Sequence, residues 1–146
     1  AAVTTGVGEI SRSDRRIIEV TKRTLEIAIA RSGPGIKWST VAAEMQDYAE
    51  TEGYAVVTEY VGHGIGEKMH EEPRVPNFVS AELLENDILL QEGMVLAVEP
   101  MINAGSAATR TLKDGWTIVT ADSKKSAHFE HTIAIVADGC KVLTSG

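Results

Sequence analysis

An α+β fold, with two helices packed on one face of a mostly antiparallel sheet, is predicted by three observations. Apolar residues recur at helical spacing early in the chain, β-branched and aromatic runs broken by turn signals fill most of the rest, and the two kinds of segment are segregated rather than alternating. The 146 residues, 43% of them hydrophobic, suffice for one domain that buries roughly two-thirds of its unfolded surface. Folding therefore requires neither a disulfide lattice nor a structural metal.

Ser11 and Ser13 offer caps, Asp14 suits a first turn, and Ile17, Ile18, Val20, Leu25, Ala28 and Ile29 give a helix over 14–31. Gly33-Pro34-Gly35 ends it. Ser39 is placed to cap a second helix, in which Val41, Ala42, Met45, Tyr48 and Ala49 make an apolar face before Gly53. Residues 54–61 suit a strand, which runs into Gly62-His63-Gly64-Ile65-Gly66. Prolines and polar residues over 71–81 predict a long loop of the kind that carries function. Strands follow over 94–99, 116–120, 126–136 and 141–144, the last two joined by the hairpin signal Asp138-Gly139. The sequence has no internal repeat and no low-complexity tract.

Acidic residues outnumber basic ones by 21 to 14, for a net charge of −7, and no stretch holds the five or more clustered Lys and Arg of a basic footprint. DNA, other nucleic acids and anionic membrane surfaces are thus excluded as partners. Cys140 is the sole cysteine, so no internal disulfide forms, which fits a reducing compartment. No apolar run approaches the ~18 residues of a membrane span, and no basic-then-apolar leader is present, so the cytoplasm is the expected location. Ala1 in place of Met allows either a processed chain or a piece of a longer one.

The glycines of 60–73 do not make a phosphate cradle: a dinucleotide fingerprint wants its third glycine where Glu67 stands, and no P-loop lysine-serine pair follows. Nor is His70-Glu71 a zinc-protease helix, because Arg74 occupies the second histidine position and Pro73 breaks a helix. What remains is that Gly62, Gly64 and Gly66 permit close backbone approach and unusual φ/ψ around His63, as a metal ligand at a strand end requires. Taken alone, His63 reads equally as a hydrogen-bonded structural histidine, while His70 reads more readily as a surface histidine than as a hydrogen-bond donor to a substrate.

Glu99 ends the apolar run 94–98 before Pro100, and Glu130 lies within the strand expected over 126–136. A carboxylate in such a place is either solvated on an outer face or paired with a cation, because unpaired burial costs several kcal/mol. Together His63, Glu99 and Glu130 form an oxygen-rich donor set suited to Mn, Fe or Co, and fit part of a two-metal hydrolytic site. Trp116, after Lys113-Asp114-Gly115, reads on its own as core packing.

The segments GHGIGEKMHEEPRVPNF (62–78), EGMVLAVEPMINAG (92–105), TRTLKDGWTIVT (109–120) and SAHFEHTIAIV (126–136) resemble the type I methionine aminopeptidases of the pita-bread metalloprotease fold. The resemblance extends over effectively the whole chain. It implies that His63, Glu99 and Glu130 are metal ligands, with Glu130 bridging two divalent ions (Co, Mn, Fe or Zn). It further implies that His70 contacts substrate and stabilises the tetrahedral intermediate, and that Glu99 is the general base. Met69 and Trp116 would line a methionine pocket; many relatives carry an aromatic residue in place of Met69, whose thioether fills the same apolar wall. Ser126 would contribute to a monovalent-cation site. The implied substrates are nascent polypeptide N-termini with a small second residue, met near the ribosome.

The family also uses two aspartates on a preceding hairpin and an earlier histidine, in an N-terminal half with no counterpart here. Residues 1–9 resemble the strand that follows the second aspartate. Residues 1–146 are thus expected to be a single catalytic-domain fragment, the C-terminal half, with three of five ligands and no independent catalysis. Two alternatives stand beside this reading: a non-catalytic half-fold that binds a partner, such as the missing half or the ribosome, and another pita-bread peptidase, such as a proline-specific aminopeptidase.

Overall fold

A computed structural model describes residues 1–145. Helix α1, Arg12–Arg31, begins where the Ser11 hydroxyl accepts from the Asp14 N–H, and buries Ile17, Val20, Leu25 and Ala28. Thr21 and Thr24 are also buried, and their hydroxyls donate to the carbonyls of Ile17 and Val20, which leaves neither unpaired. Helix α2, Trp38–Thr51, packs against α1 and buries Trp38, Val41, Ala42, Met45 and Ala49.

Ser39 is not the cap of α2. The N-cap is Lys37, which makes no side-chain bond, and Ser39 lies inside the first turn. The cap comes from another segment: the Asp87 carboxylate accepts from the Ser39 N–H at 3.0 Å and from its hydroxyl at 2.6 Å. Burial raises the Asp87 pKa, but the bonds from Ser39 and the Ile88 N–H outweigh it and hold the carboxyl below its ordinary value. Its stabilisation is therefore full above the unfolded Asp value and is lost as pH falls through the lower folded one. Asp87→Ala is expected to cost about 1–2 kcal/mol at pH 7. Urea unfolding checks this: the deficit must shrink toward pH 2–3, and a pH-independent deficit would refute the cap.

Among the described residues, ten short strands follow the two helices. Strand β1 is only Ala55–Val56, well short of the expected 54–61, and β2 is Gly62–Gly64. The predicted loop over 71–81 is instead β3, Glu71–Val75, and a short helix α3, Ala81–Glu85, capped by Ser80. Pro73 is tolerated because β3 is the outer strand of its sheet, where a missing N–H breaks no ladder on the open side. Strands β4, Val95–Val98, and β5, Met101–Asn103, flank Pro100. A two-stranded ribbon pairs β6, Thr109–Thr111, with β7, Ile118–Thr120. The strand starts at 118 rather than 116 because Asp114 accepts from the Thr117 hydroxyl and from the Trp116 and Thr117 N–H groups; these bonds hold its pKa low and close a turn.

The single strand expected over 126–136 is two, β8, Ser126–His128, and β9, His131–Val136, which belong to different sheets. Strand β10, Gly139–Val142, returns from the predicted hairpin. Residues 1–9 do not form a strand: only Ala2 pairs, as a single bridge to Glu130.

The sheets are ordered β10-β9-β4-β2-β3 and β1-β5-β8. Two chain segments run through both, β4 into β5 and β8 into β9. Their antiparallel register is the same on either side of the break, with Val98 opposite His131 in one sheet and Met101 opposite His128 in the other. Both helices cover one face. Leu25, Ala28, Trp38, Val41 and Met45 meet Leu96, Val98, Ile133 and Ile135, while Ile17, Ala49, Val56, Ile102 and Ala127 form a second cluster. Because strand residues alternate faces, positions 97, 99, 128 and 130 point away from the helices. Cys140 is free, and burial pushes its thiol pKa up, which leaves it a poor nucleophile.

Candidate metal centre

His63 is placed by close contact between strands. It pairs with Ala97 on β4 and Arg74 on β3, with a bulge before Gly64 pairs with Glu71. A Cβ on Gly62 would lie 2.2 Å from the Ala97 carbonyl oxygen, and one on Gly64 would lie 2.2 Å from that of Glu72. Glycine is required there for space. The unusual φ/ψ expected around His63 is absent, since Gly62, Gly64 and Gly66 all have negative φ. His63 Nδ1 is 2.9 Å from the Gly64 carbonyl oxygen, to which it donates. In the neutral ring this leaves the Nε2 lone pair free to ligate, facing Glu99 Oε1 at 3.7 Å.

The two carboxylates sit where the strands change sheets. Continuation of the shared register puts Glu99 opposite Glu130 in the gap between the sheets. Glu99 lies two residues beyond the partner of His63 on the same face, a diagonal that long side chains span. Pro100 ends the β4 ladder, and the Phe129 N–H donates to its carbonyl oxygen at 3.3 Å. The buried Asn77 side chain donates to the Glu99 carbonyl oxygen at 3.2 Å and fixes the backbone that carries the carboxylate. Glu130 is held by reciprocal backbone bonds to Ala2.

Sequence reasoning missed His128. Its Nε2 lies 3.5 Å from Glu99 Oε2, and Glu99, His128 and Glu130 offer three donor atoms within 4.8 Å of one another. The signal was present in His128-Phe129-Glu130, because residues two apart on a strand share a face. Two carboxylates and two imidazoles without a thiolate fit a divalent ion such as Mn, Fe or Co. Donors held about 2.0–2.2 Å from one ion lie within roughly 4.4 Å of each other, a spread close to the 4.8 Å of the trio.

Of the remaining predicted residues, His70 is in contact with this cluster. The His70 ring is 4.1 Å from that of His63, centroid to centroid, which places it at the same mouth. Met69 and Trp116 are 69% and 86% exposed, so Trp116 is not packed in the core of this chain. Ser126 opens β8, and its hydroxyl donates to the Ile102 carbonyl at 3.2 Å. A cavity of about 620 Å³ lined by Tyr60, Met101, Asn103, Arg110 and Lys124 touches the cluster through His128 alone.

The class defined by this fold is that of the metallopeptidases: the chain belongs to metallopeptidase family M24, whose family model matches residues 1–137. Within that family its relatives are methionine aminopeptidases. It is 46% identical over 144 residues to methionine aminopeptidase 1 of Bacillus subtilis, covering 99% of this chain and 57% of the relative. It is 42% identical over 138 residues to the methionine aminopeptidase of Escherichia coli, covering 94% and 51%. A solved methionine aminopeptidase from Thermotoga maritima superposes with a TM-score of 0.93 at 40% identity, over 99% of this chain and 57% of that one. A prolidase from Pyrococcus furiosus gives a TM-score of 0.71 at 23% identity, over 96% and 35%, and shares the fold alone. The fold is the pita-bread fold that the motifs implied. The chain spans about half the length of the relatives it matches. Among the described residues no helix is long and apolar enough to cross a membrane.

Proposed function

We propose that this chain supplies one half of the active site of a methionine aminopeptidase, which removes the first methionine from nascent chains whose second residue is small. The observation that carries the reading is Glu99 facing Glu130 across one continuous register, with the His63 Nε2 beside Glu99. Relatives at 42–46% identity that are all methionine aminopeptidases support it. His63, Glu99 and Glu130 would hold two divalent cations together with aspartates from a second half of the domain. Bound there, the cations would supply a water of lowered pKa and a Lewis acid for the scissile carbonyl.

Each residue then has a defined task. The Glu99 carboxylate takes the proton of the attacking water and delivers it to the departing amine. The His70 ring N–H donates to the substrate carbonyl oxygen as negative charge develops on it. The bond from His63 Nδ1 to the Gly64 carbonyl selects the tautomer of the neutral ring and orients Nε2. Met69 and Trp116, both exposed in this chain, offer apolar surface for a methionine side chain, and Ser126 an oxygen ligand for a monovalent cation. The reading places the protein in the cytoplasm, where new chains emerge.

The test joins the N-terminal remainder of the Bacillus subtilis relative to Ala1 and measures methionine release from Met-Ala-Ser with Mn(II) or Co(II). The chimera is expected to release methionine while the 146-residue chain alone stays at background. A chimera that folds and binds metal yet leaves the peptide intact would favour the non-catalytic alternative.

A further inference from the structure

We infer that His128 is itself a metal donor, so that Glu99, His128 and Glu130 form a cation site within this chain, distinct in its ligands from the side of Glu99 that faces His63. The inference rests on the proposed reading of Glu99 and Glu130 as ligands and adds an imidazole to that set.

Four observations converge on it. First, His128 Nε2 is buried and has no hydrogen-bond partner. Its 3.5 Å separation from Glu99 Oε2 is at the outer limit for a hydrogen bond. A buried ring nitrogen without a partner calls for an occupant, and a cation between it and the two carboxylates satisfies all three. Second, the Glu99 carboxylate is divided between two imidazoles, with Oε1 toward His63 and Oε2 toward His128. Each oxygen thus has its own nitrogen neighbour. Third, the His128 backbone is clamped on both sides of the peptide. Its N–H donates to the Thr4 hydroxyl at 2.9 Å, and that hydroxyl donates to its carbonyl oxygen at 2.8 Å. A ring carried on so fixed a backbone is aimed, not mobile. Fourth, the fourth histidine, His131, points elsewhere and engages the Thr144 hydroxyl at 2.8 Å. Approach to the Glu99 carboxylate is therefore selective for His63 and His128.

The competing account is a plain ion pair between a protonated His128 and Glu99, with no metal at that nitrogen. The two accounts differ in what His128 does to cation binding. The experiment titrates Co(II) into the 146-residue chain by calorimetry and records the proton NMR spectrum of the loaded chain, in which a ligated imidazole gives a strongly shifted exchangeable N–H signal. His128→Gln is expected to weaken Co(II) binding by more than about tenfold, the loss that even an outer-shell partner produces. The His63→Gln chain is expected to keep one shifted imidazole signal, from His128, which is lost in the double variant.

Unchanged affinity in His128→Gln, with Glu130→Gln still weakening binding, overturns the role of His128 and leaves the carboxylate ligands standing. Unchanged affinity in both overturns the ligand reading and this inference with it. If His128→Gln fails to fold, the His63→Gln spectrum decides: absence of any shifted imidazole signal overturns the proposal.

Discussion

Gly64→Ala is expected to lower the urea midpoint of unfolding by about 1–2 M, corresponding to about 3 kcal/mol for a chain of this size. The added carbon would meet the Glu72 carbonyl oxygen at 2.2 Å and the Glu72 carbonyl carbon at 2.7 Å. Both are backbone atoms of a paired strand, so relief requires moving β2 and β3 apart, which breaks the ladder that carries His63. Such a loss is a large fraction of the roughly 5–15 kcal/mol that holds a domain together. Gly33→Ala is the control. Its added carbon meets Gly139 Cα at 3.4 Å, an ordinary contact, and its midpoint should barely move. Equal midpoints for the two variants would remove the packing explanation for the glycine-histidine-glycine segment.

Glu99→Gln, introduced into the chimera described above, is expected to reduce methionine release by about 10³-fold or more. The substitution keeps the shape but removes both the proposed anionic ligand and the proposed proton acceptor, and general-base catalysis alone contributes about 10²–10⁴-fold. Asn77 still holds the Glu99 backbone in this variant, since that bond is to the carbonyl, so the fold should be unaffected by circular dichroism. Retention of more than a tenth of the activity would exclude Glu99 from both roles.

How far the sequence discloses this molecule depends on the range of the interactions involved. Helices α1 and α2 were readable because their apolar faces and the Ser11 cap are local. The true cap of α2 was not, since Asp87 lies 48 residues from Ser39. The stretch 71–81 looked like a loop because Pro73 and the acidic residues are poor strand formers, and nothing local reveals that β2 waits beside it as a partner. The change of sheet between Phe129 and Glu130 is silent in sequence, because two-residue alternation continues straight through it.

At the site, His63 stood out by its glycines, and Glu99 and Glu130 by being charged within apolar strands. Their roles came from the resemblance, whereas their juxtaposition follows from register. His128 escaped notice because its place two residues before Glu130, on the same strand face, gains weight only once Glu99 is known to lie opposite. Trp116 illustrates the converse: its size suggested a core residue, yet the Asp114 turn holds it in solvent.

The strap between Thr4 and His128 also has a kinetic meaning. It joins residues 124 apart in sequence, and closing so long a loop costs about 4 kcal/mol of chain entropy by the usual logarithmic scaling. Contacts of that range come after local ones in folding. The helices and the 131–142 hairpin can form early, while the Thr4 and His128 segments are brought together later. A cation site built as proposed on His128 and Glu130 would thus be completed only in the last stage of folding.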